Sequence, residues 1–121
     1  MKMIKKCLVS LSLLAFLMPM ASVILADSHK KLTIALIPGV VDPFYFTMHR
    51  GAKHAAEALG VNLLFQVPKQ WNVSVQVPIL NAIIAKKPDA ILIAPTDKIQ
   101  LIAPLQAAVE QGILVITVDT F

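Results

Sequence analysis

The chain has 121 residues, of which 57% are hydrophobic and 15% charged, enough for one small domain and apolar for a soluble globular protein. Its formal net charge is +4, but three of its basic residues, Lys2, Lys5 and Lys6, cluster near the amino terminus. Subtracting these three from the 11 basic residues, against 7 acidic ones, leaves a net charge of about +1. The rest of the chain therefore has no basic patch for nucleic acid.

The first 26 residues have the organisation of a secretory signal peptide. The positive start is followed by an apolar run from Leu8 to Phe16, a break at Pro19 and a small residue, Ala26. A membrane anchor is the alternative, but Pro19 interrupts the stretch, which is short for the roughly 20 residues of a span. We predict a signal peptide at 1–26, a domain at 27–121, and no membrane span after cleavage. The only cysteine, Cys7, lies in the leader, so the mature chain has no disulfide.

Four short apolar runs follow, and each is bounded by Pro, Gly or Asp. They lack polar alternation, which is typical of strands covered on both faces in a parallel sheet. Their starts are 29, 29 and 24 residues apart, room for one crossover helix each time. The predicted strands are Leu32–Ile37, Val61–Val67, Ala90–Ala94 and Leu114–Val118.

The segments between these runs have helical periodicity. Pro43 suits the first position of the first helix and Gly60 its end, whereas Pro104 predicts a kink or a short first turn in the third. The pattern β-α-β-α-β-α-β predicts an α/β fold, a doubly wound parallel sheet with three α/β/α layers. The predicted inward stripes are Met48, Ala52, Ala55 and Leu59; Val77, Leu80, Ile83 and Ile84; and Leu101, Ile102, Leu105, Ala108 and Val109.

Carboxylates and aromatic rings follow the carboxyl ends of the predicted strands, where ligands bind in such sheets. Lys69 and Lys98 are the only cations there, which weakens the case for an anionic ligand. Carboxylates that accept from hydroxyls, with rings against C–H surfaces, suit a neutral carbohydrate. The candidate residues are Asp42, Phe44, Tyr45, Trp71, Asp119 and Thr120.

Structural roles compete with ligand binding at several of these positions. Phe44 continues the core stripe of the first helix, and Tyr45 and Phe46 cannot both share that face, so at least one should be exposed. Asp42 and Asp97 are well placed as helix caps. Trp71 suits either the lip of a cleft or a hydrophobic plug. Asp119 has no obvious cap to make, which favours a functional role.

Other signals in the sequence are weak. His49 and His54 lie on different helix faces, so they are poor joint metal ligands and should be solvated. Asn72-Val73-Ser74 matches a glycosylation acceptor, but a three-residue match is common by chance. The sequence has no G-x-G-x-x-G, phosphate loop, G-x-S-x-G or Cys/His pair. We therefore expect no enzymatic activity, no cofactor and no metal.

Several short motifs follow one another in an order that is typical of one protein family. Asp42-Pro43-Phe44-Tyr45 opens a helix that contains Gly51-Ala52 and ends with A-E-A-L-G, and P-T-D at 95–97 and G-I-L-V-I-T-V-D at 112–119 follow. From about Leu32 onward the chain resembles the periplasmic sugar-binding proteins of ABC transporters, in the ribose-type branch. The resemblance implies two α/β lobes that close on a sugar and then dock on a membrane permease, in the periplasm.

The resemblance also suggests site residues and departures. By position, Phe44 and Tyr45 resemble the aromatics that hold the sugar ring, and Asp42 and Asp119 the groups that bind its hydroxyls. Ala94 stands where ribose-type proteins have asparagine, and Thr120 where they have arginine, so another sugar or a polyol fits better than ribose. The chain ends just after the fourth strand, so we expect an incomplete first lobe that alone binds sugar weakly or not at all.

The sequence disfavours two other functional classes and is compatible with a third. The effector-binding domain of a sugar-responsive repressor would need a DNA-binding helix pair where the leader stands. A phosphoryl-accepting receiver domain would need acidic residues where Val40-Val41 and Ala94-Pro95 stand. A ligand-presenting partner of a chemoreceptor can coexist with transport.

Overall fold

The computed structural model describes residues 30–120, so the predicted signal peptide at 1–26 lies outside the described residues. Four strands alternate with three helices, and all four predicted strands are confirmed to within two residues at either end. The elements are β1 (Thr33–Ile37), α1 (Pro43–Leu59), β2 (Asn62–Phe65), α2 (Val73–Ile84), β3 (Ala90–Ile93), α3 (Ile102–Glu110) and β4 (Leu114–Thr117).

The strands form one parallel sheet in the order β2-β1-β3-β4. β1 pairs with β3 so that Ile37 lies opposite Ile93, and the N–H of Ala94 donates to the carbonyl of Ile37 at 2.9 Å. The chain moves from β1 to one side through α1 and then back across β1 through α2, the doubly wound pattern. The predicted α/β fold with a doubly wound parallel sheet is confirmed.

The main core lies between the sheet and the pair α2 and α3. Because side chains alternate along a strand, Ala35 and Ile37 of β1 belong to this core while Leu36 points to the other face, where α1 packs beside β2. The buried members are Ala35, Ile37, Leu80, Ile83, Ile84, Ile91, Ile93, Leu101, Ala108 and Ile113. Three of the four stripe residues predicted for α2 are among them, and Val77 packs against them.

The predicted stripe of α1 is wrong in part. Ala55 and Leu59 are exposed and Met48 is half-buried, whereas the buried positions are Tyr45 and Ala56. The helix is rotated by about one residue from the prediction. Three consecutive aromatics and several alanines leave the sequence without a single clear apolar face, so contacts with the sheet decide the orientation.

The ends of the helices follow the predicted signals. Pro43 is the first residue of α1, and Gly60 closes it in the left-handed conformation at φ 68°, which glycine adopts without strain. A turn over residues 98–101 precedes α3, so Pro104 falls in the first turn of that helix as predicted. Two residues of the predicted α3 stripe, Ile102 and Val109, are instead exposed.

Candidate functional site

The carboxyl edge of the sheet brings the predicted site residues to one end of the molecule. The connections from β1 and β3 leave in opposite directions, so the gap between these two strands is the switch point where α/β sheets bind ligands. The loop between β1 and α1 and the loop between β2 and α2 are joined there, because the N–H of Val41 donates to the carbonyl of Pro68 at 3.0 Å.

Tyr45 and Asp119 are joined across this edge. The Tyr45 hydroxyl donates to Oδ2 of Asp119 at 2.7 Å, and the Tyr45 side chain is only 4% exposed. Phe46, next in the sequence, is exposed, so the prediction that Tyr45 and Phe46 cannot share one face is confirmed. Tyr45 thus presents little ring surface to solvent, and its buried hydroxyl holds the Asp119 carboxylate through a hydrogen bond.

Asp119 has an unusual backbone conformation. Its φ is 65°, and the N–H of Thr120 donates to the carbonyl of Val118 at 2.7 Å, which closes a three-residue turn around it. Positive φ is uncommon in residues other than glycine, although Asp and Asn tolerate it best. The Thr120 hydroxyl donates to the carbonyl of Pro95 at 2.9 Å. These bonds, with that from Tyr45, fix an exposed carboxylate at the end of β4.

The environment of Tyr45 shifts its acidity. Burial raises the pKa of the Tyr45 phenol well above its usual value, and the hydrogen bond to Asp119 and the charge of Asp119 act in the same direction. The Gly39 backbone opposes this pKa shift, and the charge of Asp42 adds slightly to it. The phenol is therefore a hydrogen-bond donor at neutral pH, which leaves the remaining lone pairs of the Asp119 carboxylate for other donors.

Phe44 does not pack in the core. Its ring is 56% exposed and meets the ring of Tyr45 edge-on, with centroids 5.3 Å apart and planes at 70°. The alternative that Phe44 continues the core stripe is wrong, because α1 is rotated from the predicted orientation. The Phe44 ring is therefore open to solvent at this edge of the sheet.

Trp71 lies over the backbone of the first loop. A Cβ added to Gly39 would come closer than 3.0 Å to three ring carbons of Trp71, so only glycine lets the ring approach this closely. The ring is nevertheless 47% exposed. Trp71 therefore combines the two predicted roles, since one part covers the loop and the other lies at the surface of the edge.

The predicted cap at Asp42 is confirmed, whereas Asp97 caps the turn over residues 98–101 and not helix α3, whose first position is preceded by Leu101. Oδ1 of Asp42 accepts from the N–H of Phe44 at 2.7 Å at the start of α1. Oδ1 of Asp97 accepts from the N–H groups of Ile99 and Gln100 at 2.8 and 2.7 Å, and these bonds lower the pKa of the Asp97 carboxyl. The cap of Asp42 uses one carboxylate oxygen and leaves the second for another donor.

Gln76, on α2, was not predicted to matter. Among residues 30–120, Gln76 is the one polar side chain that is completely buried. It forms hydrogen bonds with Pro38, Ala94 and Thr96, which belong to two different loops. A signal was present in the sequence, since Gln76 lies four residues before Leu80 on the inward stripe of an apolar helix. A glutamine at such a position needs buried partners.

The histidines do not form a site. His49 was expected to be solvated, but it is half-buried and its ring stacks on Phe65 with centroids 3.8 Å apart. His54 is exposed on α1. Between residues 30 and 120 no cluster of three or more His, Cys, Asp or Glu side chains could hold a metal ion. None of the helices in this range is long and apolar enough to cross a membrane.

Comparison with protein families assigns the fold to a known group. The sequence-family model of the periplasmic binding protein domain matches residues 34–121, which is most of the chain. The chain belongs to this periplasmic binding protein family. Its similarity to the sugar-binding proteins of ABC transporters, expected from the motifs, is confirmed by the solved structures that it resembles, and these are consistent with the ribose-type branch.

Several solved structures are similar to this family member. An ABC transporter solute-binding protein from Agrobacterium vitis, bound with α-D-tagatopyranose, is 59% identical with a TM-score of 0.73, over 75% of this chain and 31% of that one. One from Burkholderia graminis, in complex with D-arabinose, is 33% identical with a TM-score of 0.69, over 73% and 30% of the two chains.

A third relative extends the range of ligands. A periplasmic solute-binding protein from Actinobacillus succinogenes with bound D-allose is 32% identical with a TM-score of 0.70, over 74% of this chain and 32% of that one. In each comparison, this periplasmic binding protein chain spans about a third of the length of its relative.

Proposed function

We propose that this chain supplies sugar-binding groups to the substrate-binding component of an ABC-type uptake system for a sugar or polyol. The observation that carries the proposal is the carboxyl edge of the sheet, where Asp119 is held by Tyr45 beside the exposed ring of Phe44. A fixed carboxylate accepts from sugar hydroxyls, and an apolar ring packs against the C–H face of the sugar.

The charge of this edge supports a neutral ligand. Asp42, Asp97 and Asp119 lie there, and the edge contains no arginine. An anionic substrate would meet these carboxylates without a guanidinium to balance them. A hydroxyl-rich, uncharged molecule is the class of ligand that the edge suits.

The sugars bound to the relatives narrow the choice of ligand for this chain. Because the 59% identical protein is bound with α-D-tagatopyranose, we propose a ketohexose such as D-tagatose as the first ligand to test. The family match and the sugar-bound relatives favour uptake over the effector domain of a repressor. Presentation to a chemoreceptor is compatible with the same site.

The proposed location and partner follow from the same role. A solute-binding component works outside the cytoplasmic membrane, so we propose export through the signal peptide at 1–26 and residence in the periplasm. There the ligand-bound protein would dock on the membrane permease of the transporter. Cell fractionation of the tagged chain, compared with a variant lacking residues 1–26, tests the location.

A ligand at the carboxyl edge of the sheet would be covered by this chain on one side only. Phe44 and Trp71 are both about half exposed, and the residues described here form a rim rather than an enclosed pocket. A ligand on such a rim keeps much of its hydration, whereas sugar binding in this family requires closure around it. We therefore propose that this chain by itself binds sugar weakly.

The single tryptophan provides the test. Trp71 is the only tryptophan in the chain, so its fluorescence reports on the edge during titration with D-tagatose. We expect a saturable change with millimolar affinity that is lost in Asp119→Asn and retained in Asp89→Asn, at the opposite edge of the sheet. No response in the unaltered chain at millimolar sugar contradicts the proposed site, and micromolar or tighter affinity contradicts the proposed weak binding.

A further inference from the structure

The buried side chain of Gln76 lies at the end of the sheet where two neighbouring strands stop pairing. β1 is followed by Pro38 and β3 by Ala94-Pro95. Proline has no N–H, so neither Pro38 nor Pro95 can extend the ladder of hydrogen bonds between the strands. Within residues 30–120, the carbonyl groups of Pro38 and Ala94 also accept from no backbone N–H, just where the two loops diverge.

The amide of Gln76 supplies those partners. Its Nε2 donates to the carbonyl oxygen of Pro38 at 3.2 Å and to that of Ala94 at 2.8 Å. Its Oε1 accepts from the N–H of Thr96 at 2.9 Å and from the Thr96 hydroxyl at 2.8 Å. Both amide protons and both lone pairs of the oxygen are used, and the side chain is 0% exposed.

These bonds determine the orientation of the amide. If the amide were flipped, its oxygen would face two carbonyl oxygens and its nitrogen would face the N–H of Thr96. The network therefore permits one arrangement only, and a saturated buried network of this kind is rigid.

The loops that Gln76 joins are the ones that carry the proposed site. Pro38 begins the loop that leads to Asp42 and Phe44, and Thr96 belongs to the loop that leads to Asp97. The second loop also receives the hydroxyl of Thr120, through the carbonyl of Pro95 at 2.9 Å. Gln76 is thus hydrogen-bonded directly to the loops that follow β1 and β3, and it is connected through Pro95 and Thr120 to the end of β4.

We infer that Gln76 is a positioning residue, which holds these loops at the spacing that sugar binding requires and so contributes to affinity without touching the ligand. The inference about affinity rests on the proposed function. The spacing of the loops can be tested without any ligand.

The first test separates affinity from stability. Gln76→Met keeps the length and apolar body of the side chain but removes all four hydrogen bonds, and Gln106→Met, on the exposed face of α3, is the matched control. With D-tagatose as the probe, under conditions where every variant is folded, we expect Gln76→Met to weaken binding about tenfold or more, the size of effect that residues orienting metal ligands have on metal affinity. The control should bind as the unaltered chain does.

A milder variant covers the possibility that Gln76→Met fails to fold. Thr96→Val keeps the shape of the side chain, leaves Gln76 in place and removes one bond to Oε1. It should weaken sugar binding by a smaller factor than Gln76→Met. If either folded variant loses stability but binds D-tagatose with unchanged affinity, Gln76 has only a structural role and the inference is wrong.

A second measurement is independent of the sugar. Backbone amide chemical shifts of Phe44 and Thr120, neither of which bonds to Gln76, should change in Gln76→Met or Thr96→Val, while those of Leu59 at the far end of α1 stay constant. If the unaltered chain does not respond to sugar but these shifts change, the proposed function fails and the positioning of the loops by Gln76 is supported. Unchanged shifts at both positions overturn the inference.

Discussion

At the scale of single residues, the most informative contact is the hydrogen bond from Tyr45 to Asp119. It joins residues 74 positions apart in the sequence, and it connects a buried aromatic side chain with an exposed carboxylate. A ring that the resemblance suggests as a sugar platform is instead 4% exposed, which leaves the adjacent Phe44 as the ring available to a ligand. In the proposed site, the part of Tyr45 is to orient the carboxylate of Asp119.

The first prediction concerns the acidity of Tyr45. It is the only tyrosine, so alkaline difference absorbance reports on it alone, and it should ionise well above the pKa of about 10 of a free tyrosine. Because the folded state holds this proton more tightly than the unfolded state, the stability contributed by Tyr45 is complete below pH 10 and falls as the pH rises above it.

A pair of variants checks the cause of that shift. Asp119→Asn retains a residue that tolerates positive φ but removes the charge, so the pKa of Tyr45 should fall toward its ordinary value without reaching it, since burial remains the largest cause. Asp89→Asn, at the other edge of the sheet, should leave it unchanged. Equal titration curves for all three proteins would show that Asp119 does not act on Tyr45.

The second prediction concerns the contact between Gly39 and Trp71. Gly39→Ala places a methyl group where the Trp71 ring lies, so the ring must move outward into water. We expect the tryptophan emission to shift to longer wavelength and the free energy of unfolding to fall by about 1–3 kcal/mol.

Gly51→Ala is the control for this substitution. Gly51 lies on the exposed face of α1, and nothing is within 4 Å of a Cβ added there. This variant should gain up to about 1 kcal/mol from helix propensity and keep the emission of the unaltered chain. An unshifted emission in Gly39→Ala would mean that the ring does not cover this loop.

At the scale of the elements, the caps of the helices lie at the same edge as the proposed site. Asp42 caps α1 and Asn72 caps α2, each through a side-chain oxygen that accepts from the N–H two residues later. Capping orders the loops just before the helices begin. Local helix chemistry thus places Phe44 and Trp71 at the edge.

The third prediction separates capping from ligand binding at Asp42. Asp42→Ala should reduce the free energy of unfolding by about 1 kcal/mol, whereas Asp42→Ser retains a capping oxygen and should lose only a fraction of that. Urea unfolding of both variants measures the difference. In sugar titration, Asp42→Ser should still bind more weakly than the unaltered chain if the second carboxylate oxygen contacts the ligand; unchanged affinity assigns Asp42 to capping alone.

At the scale of the whole molecule, one face and one edge of the sheet are covered less well than the rest. Within the part of the chain that the structure describes, β4 pairs only with β3, and its Leu114 and Ile116 are 59% and 43% exposed. An exposed apolar edge strand is a template for pairing with another chain. This is a physical basis for self-association of the chain in solution.

The fourth prediction follows from that edge. We expect the chain to self-associate at micromolar concentrations in sedimentation velocity, and replacement of both Leu114 and Ile116 by threonine to reduce it while keeping strand propensity. Leu59→Thr is the control, because Leu59 is even more exposed, at 74%, but lies on a helix. A monomeric unaltered chain, or an equal effect of the control, would contradict a role for the edge.

The order and the type of the elements could be predicted from local sequence patterns alone. Strands such as Ala90–Ile93 are apolar without interruption, and Pro43, Gly60 and Asp97 have local conformational preferences that act over a few residues. Signals of this kind depend on neighbouring residues only, so the strands, the cap at Asp42 and the location of the candidate site at one edge could be predicted without the structure.

Which side chains face the core and which face the edge depends on tertiary contacts. The rotation of α1 depends on contacts with the sheet, so the burial of Tyr45 and the exposure of Phe44 could not be predicted from three consecutive aromatics. The partners of Gln76 and Asp119 are 18 to 74 residues away in sequence, and hydrogen bonds over such separations exist only once the strands have set the loops side by side.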